Sequence, residues 1–197
     1  SPPIKLDWAA EGGFVSAVEK CNGVGACRKV NAGAMCPSYQ ATREEMHSTR
    51  GRANTLRSVL SGSLPRETLH SKELFEVFSL CVECKSCKSE CPSNVDMAKI
   101  KSEFLYGYNK KNGTPITSRF IANIHSISAL TIPFAPIFNF TTRTAAFRFI
   151  NEKLFGFDRR RKLPNLVTQT FERWFNKRTA HTTGSRGNIV LFHDTFM

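Results

Sequence analysis

Residues 81–92 read CVECKSCKSECP, a run of Cys81-x2-Cys84-x2-Cys87-x3-Cys91-Pro92. Three cysteines spaced three residues apart can set three thiolates on three corners of one iron–sulfur cube, while the short loop turns its amides toward the sulfides. The fourth cysteine, just before a proline, points elsewhere, and in two-cluster proteins it ligates the other cluster. A lone zinc ion needs four tetrahedral ligands and usually takes them as two separated pairs, so the triplet suits a cube better.

A second half-motif lies upstream. Residues 21–27, CNGVGAC, have the same span as 81–87, with Val24 where Cys84 stands. Cys36-Pro37 repeats the cysteine–proline pair after a longer spacer. Reciprocal exchange of the last sulfur assigns Cys36, Cys81, Cys84 and Cys87 to a 4Fe–4S cluster, and Cys21, Cys27 and Cys91 to a second cluster. Three thiolates suit a 3Fe–4S cluster, or a 4Fe–4S cluster whose fourth iron takes water, another side chain or a substrate. Val24 offers no donor atom, which favours the three-iron form. Gly23 and Gly25 supply the unhindered backbone that a loop against a cluster needs. Arg28, Lys29, Arg50, Arg52, Lys85 and Lys88 lie near these cysteines and can offset cluster charge.

The chain has seven cysteines, an odd number, and four of them fall within eleven residues. A disulfide framework would spread them through a small secreted domain. Ser1-Pro2-Pro3 opens no secretory signal. The expectation is ligand thiolates in a reducing, cytoplasmic setting.

Helical patterns dominate the 197 residues. An apolar stretch of Phe14, Val15 and Val18 leads into Cys21. Residues 51–61 are helix formers ending at Gly62. Ser71 can cap a helix through Leu74, Val77 and Phe78, and Asp96 precedes a stripe of Met97, Ile100, Phe104 and Tyr108 that stops at Asn112-Gly113. Further helices are expected over 116–129, over 143–155, and from Pro164 through Trp174 and Phe175. Residues 187–194, GNIVLFHD, read as a short buried strand. The fold class expected is mainly α, an α-helical ferredoxin-like two-cluster domain with a short C-terminal strand. It divides into a two-cluster domain over 1–112, a basic helical extension over 113–186, and the first strand of a truncated downstream domain over 187–197.

Two family resemblances attach to these motifs. Cys-x5-Cys with an aliphatic residue in the middle, plus a Cys-Pro, resembles the three-iron motif of succinate dehydrogenase iron–sulfur subunits, with the motif order reversed. A broader one rests on residues 21–29 (CNGVGACRK), 35–39 (MCPSY), 47–54 (HSTRGRAN), 159–164 (RRRKLP) and 171–175 (FERWF). These are similar to the iron–sulfur segment of FAD-linked D-2-hydroxyacid dehydrogenases of the D-lactate and D-2-hydroxyglutarate type. Glycolate oxidase iron–sulfur subunits are cousins of that group. The resemblance implies a flavin (FAD) domain upstream or in a partner subunit, a heterodisulfide-reductase-like domain downstream, and relay of electrons from a hydroxyacid-reduced flavin to an acceptor such as a quinone. It places no substrate-binding residue in this chain.

Lys plus Arg number 28 against 16 Asp plus Glu, a net charge of +12. Such a balance implies an anionic partner. Much of the excess lies over residues 141–181, far from the cysteines, and suits an acidic protein surface or lipid headgroups. No nucleic-acid motif accompanies Arg159-Arg160-Arg161-Lys162, so nucleic acid is not expected. Residues 120–142 carry no Asp, Glu, Lys or Arg. That length could cross a bilayer, but Pro133, Pro136 and several polar residues interrupt it. At most a peripheral membrane contact is expected. No Ser–His–Asp order, phosphate loop or paired-carboxylate pattern is present, and the five histidines have no ligand spacing.

Overall fold

The computed structural model describes residues 4–178 and Val190. Among them there is no strand, and the fold is mainly α. The strand expected over 187–197 lies outside the described residues except for Val190. The chain divides into two compact units, Ser1–Thr114 and Pro115–Met197.

In the first unit the helices are α1 (Phe14–Glu19), α2 (Pro37–Thr42), α3 (Thr49–Leu60), α4 (Lys72–Ser79), α5 (Ser86–Glu90) and α6 (Met97–Asn112). Three begin on side-chain caps. Ser48 Oγ accepts from the amide of Gly51, Ser71 Oγ from Leu74, and Asp96 from Lys99. Such caps satisfy amides that the first turn leaves without partners. The apolar stripes then meet. Phe14 and Val18 of α1, Leu56 of α3, Leu74 and Phe78 of α4, and Ile100 and Phe104 of α6 are all buried in one core. Phe78 and Phe104 stack at 4.7 Å between ring centroids, and Phe75 stacks on Tyr108 at 4.8 Å. The segment before α1 is tied to α6 by a buried carboxylate. Glu103 accepts from the amides of Lys5 (2.6 Å) and Leu6 (2.8 Å) and from Trp8 Nε1 (2.8 Å).

The second unit carries α7 (Ile116–Ala122), α8 (Ile124–Thr131), α9 (Ala135–Arg143), α10 (Ala145–Phe155) and α11 (Phe171–Lys177). The helix expected over 116–129 is broken at Asn123, whose side chain bonds back to the carbonyl of Arg119 (2.8 Å). The helix expected from Pro164 begins only at Phe171. The intervening backbone is held in another shape, because Leu166 exchanges two 2.8 Å hydrogen bonds with the side chain of Asn139, and Thr170 then caps α11. No single described helix is long and apolar enough to cross a membrane. One bent pair, Ile116–Ala122 with Ile124–Arg143 at 68°, passes by length and composition together. Leu130, Phe134, Ile137 and Phe140 stand exposed along it.

Close approach at the start of α3 requires a glycine. A Cβ on Gly51 would overlap the carbonyl oxygen of Glu45 in the preceding turn, and backbone cannot yield as a flexible side chain can. Although alanine is the better helix former, Gly51→Ala should cost about 1–3 kcal/mol through overpacking. A lower urea midpoint at unchanged slope is the expected result; an unchanged or higher midpoint would contradict it.

Candidate metal centre

The Cys81–Cys91 loop leaves the end of α4, where the Cys81 amide donates to the carbonyl of Phe78 (3.0 Å). Glu83 and Lys85 take left-handed backbone, at φ 54° and 60°, on either side of Cys84. That conformation is uncommon for residues with a Cβ, and it folds three cysteines into one tight loop. Helix α5 follows, and the amide of Cys91 closes onto the carbonyl of Cys87 (3.1 Å).

Cys36, Cys81, Cys84 and Cys87 line one pocket, with Thr49 and Arg52 on its wall. Cys36 and Cys87 are buried, Cys81 is half-buried and Cys84 is exposed. The Cys36 sulfur lies 3.6 Å from Arg52 Nη1, 3.7 Å from Thr49 Oγ1 and 3.7 Å from Ser38 Oγ. The amides of Met97 and Ala98, at the N-terminus of α6, face the Cys87 sulfur. Burial pushes the Cys81 and Cys87 thiols up. At Cys81 the charges of Arg52 and Lys101 oppose that rise, and at Cys87 the α6 amides do so. These donors and charges offset part of the cost of burying negative sulfur, and both thiols stay raised.

Cys21, Cys27 and Cys91 do not line this pocket. Cys27 is buried, and burial above all raises its thiol, with the nearby Cys36 and Cys21 adding to the rise. Its sulfur accepts from the amide of Arg50 (3.4 Å), in the first turn of α3. Arg50 Nη1 donates to the carbonyl of Gly23 (3.2 Å), and Gly23 and Gly25 both take left-handed backbone, at 80° and 76°. Glu45 pairs with Arg50 (2.7 Å) and with Arg28 (3.2 Å), so both arginines brace the loop from outside. Val24 is 60% exposed at the middle of that loop. Cys91 is half-buried against the core. Lys88, which pairs with Asp96 at 3.3 Å, and Lys85 are exposed.

Among the described residues, no three of His, Cys, Asp and Glu converge closely enough to hold a single metal ion. Ligands of one zinc ion stand about 3.8 Å apart for bonds of about 2.3 Å. Ligands of a cube each bind a separate iron and are spread farther, and four cysteines around one pocket are donors of the kind such a cluster takes.

Several contributors were not legible as such in the sequence. Ser38, Thr49 and Lys101 are ordinary polar positions along the chain. Lys101 nonetheless donates to the carbonyl of Cys81 (2.6 Å) and pairs with Glu83 (3.5 Å). Glu90 is the most telling. It precedes Cys91, yet its carboxylate accepts from the amides of Ala34 (2.8 Å) and Met35 (3.2 Å), just before Cys36. The loop of one half-motif is thereby fastened to the loop of the other.

Residues 17–95 match the model of the 4Fe-4S dicluster domain family. The chain is 31% identical over 153 residues to a D-2-hydroxyglutarate dehydrogenase of Pseudomonas putida, covering 61% of this chain and 15% of that protein. It is 28% identical over 202 residues to the D-2-hydroxyglutarate dehydrogenase of Escherichia coli K12, covering 79% and 20%. Over 62 residues it is 36% identical to the glycolate oxidase iron-sulfur subunit of Escherichia coli K12, covering 32% and 14%. The chain thus spans a fifth or less of the length of these curated relatives. No solved structure matches it.

The Glu90 link generates a prediction. A Cβ on Gly33 would overlap the Glu90 carboxylate, and Gly33 already has a left-handed φ of 78°. Glu90→Ala should cost about 1–2 kcal/mol, as expected for lost hydrogen bonds to a charged acceptor near the surface, and should speed chelator-driven iron loss. Gly33→Ala should do the same, with the double variant less than additive. Strict additivity would mean that the two residues act separately.

Proposed function

We propose that this chain is the electron-transfer module of a flavin-linked oxidoreductase that oxidises a D-2-hydroxyacid. The dicluster family, the hydroxyacid dehydrogenase relatives and the gathering of four cysteines around one pocket support this reading, the last most directly. Cys36, Cys81, Cys84 and Cys87 would hold a 4Fe–4S cluster. Cys21, Cys27 and Cys91 would hold the second, as 3Fe–4S or as 4Fe–4S with a non-cysteine fourth position. The clusters supply one-electron steps at potentials set by ligands, hydrogen bonds and burial. A flavin takes two electrons from a substrate and can release them singly, which makes it the natural donor.

The chain's own residues bind and insulate. The segments between α1 and α2 and between α4 and α6 would carry the thiolates, the core excludes water behind them, and Arg52, the Arg50 amide and the α6 amides supply positive potential. The flavin domain belongs upstream or in a partner subunit, and a heterodisulfide-reductase-like domain belongs downstream. The acceptor is a quinone or another electron carrier, and the setting is cytoplasmic, with at most peripheral contact at the inner face of a membrane. The domain boundaries proposed remain 1–112, 113–186 and 187–197.

A second reading has a specific observation behind it. The exposure of Val24 leaves the ligand-free position of the Cys21–Cys27 loop open to solvent. A fourth iron there would be reachable by water or a small molecule, giving a binding or catalytic centre in place of a relay.

Anaerobically purified protein should be brown and contain about seven to eight irons per chain, in line with two clusters. A colourless, zinc-containing protein would end the proposal. Oxidised three-iron centres are paramagnetic and oxidised cubes are silent, so Val24→Cys should abolish the oxidised-state resonance if the second cluster has three irons. No such resonance before or after the change would favour the open four-iron form. Cys84→Ser should remove the four-cysteine cluster alone, leave flavin reduction by substrate intact and block reoxidation by the acceptor. Unimpaired reoxidation would show that electrons leave by another route.

A further inference from the structure

Arg52 is completely buried in α3. Its Nε donates to the carbonyl of Val77 (2.9 Å), Nη1 to the carbonyl of His47 (2.7 Å) and Nη2 to Ser38 Oγ (3.0 Å). Nη1 also reaches the Cys36 sulfur (3.6 Å). The first three partners are neutral, and among the described residues no carboxylate pairs with this guanidinium. A buried cation without a counter-ion is strongly disfavoured. A neutral thiol at Cys36 would leave that cost standing, whereas a thiolate on a cluster would relieve it.

The other cations near the cysteines are paired, exposed or turned to the other loop, as half-buried Arg57 is through the Cys21 carbonyl (2.6 Å). Arg50 is held by both oxygens of Glu45 (2.7 and 3.1 Å). Lys101, the other buried cation among the described residues, pairs with Glu83. Lys88 pairs with Asp96, and Lys85 faces solvent, where its field is screened.

We propose that Arg52 is the dedicated counter-charge of the four-cysteine cluster and, acting through Cys36, holds its reduction potential above that of the same cluster without it. The proposal rests on the reading that Cys36, Cys81, Cys84 and Cys87 hold a cluster. Reduction adds one electron, hence one negative charge, to that cluster. A fixed cation in a dry site stabilises the reduced form more than the oxidised form. The effect is centred on one cluster, because Arg52 reaches the Cys36 sulfur and lines the pocket of Cys36, Cys81, Cys84 and Cys87, a pocket that Cys21, Cys27 and Cys91 do not line. Arg52 is a positioning and tuning residue, without contact to any substrate.

The test is a redox titration of the cluster-loaded full chain, followed by electron paramagnetic resonance, for the parent protein, Arg52→Gln and Arg52→Lys. Arg52→Gln should shift the reduction equilibrium of the four-cysteine cluster at least tenfold toward the oxidised form, 59 mV for one electron. The other cluster should move less than threefold, and Arg52→Lys should recover most of the shift. An unchanged equilibrium in Arg52→Gln, or equal shifts at both clusters, overturns the proposal. If Arg52→Gln fails to retain the cluster, Arg52→Lys decides. Retention at near-parental potential supports the charge, and loss there too makes the role one of hydrogen-bond geometry and overturns it. A parent protein whose signals do not respond to Cys84→Ser removes the underlying reading instead, and that outcome is distinct from all the others.

Discussion

Sulfur that is to carry negative charge in a place with little water must be met by fixed positive potential. In this chain that requirement organises the fold around the cysteines. The N-terminal turn of α3 supplies the amide of Arg50 to Cys27 and the hydroxyl of Thr49 to Cys36. The N-terminal turn of α6 turns the amides of Met97 and Ala98 to Cys87. Helix N-termini carry partial positive charge and free donors. Two of the longer helices of the first unit therefore begin where the thiolates are needed. Their apolar stripes pack behind, so the same core that stabilises the helices fixes their starting points.

The fastening of the two half-motifs follows from the same economy of contacts. Neighbouring residues Thr49 and Arg50 touch sulfurs assigned to different clusters, so one helical turn serves both. Glu90, beside Cys91, holds the backbone that leads to Cys36. In the proposed assignment each half of the chain would depend on the other for its last ligand, and cluster assembly would then be linked to folding of the first unit.

The two-cluster segment was readable because its cysteines are closely spaced along the chain, a local pattern that needs no tertiary information. The helices of the first unit were readable because their caps and stripes agree, as at Ser71 and at Asp96 with Met97, Ile100 and Phe104. The second unit was harder. Asn123 breaks an apolar run by bonding to its own preceding turn, and Asn139 captures Leu166 across 27 residues. Such long-range capture by an amide side chain leaves no periodic trace. Glu90 and Lys101 were hidden for a related reason. A charged residue on a helix reads as a solvated face, and only the packed fold shows that its partner is a backbone group next to a cysteine.

The second unit differs from the first in what it does with its apolar residues. In the first unit the stripes meet one another in one buried core. In the second, Leu130, Phe134, Ile137 and Phe140 recur along α8, α9 and the turn between them with more than half of their surface open. Large exposed apolar rows on a helical unit call for a covering surface. The match to the Escherichia coli dehydrogenase covers 79% of this chain, so it necessarily reaches well past Pro115 and includes part of this unit. That relative is about five times as long as the matched stretch. Among the described residues of the second unit, that row stays open to solvent.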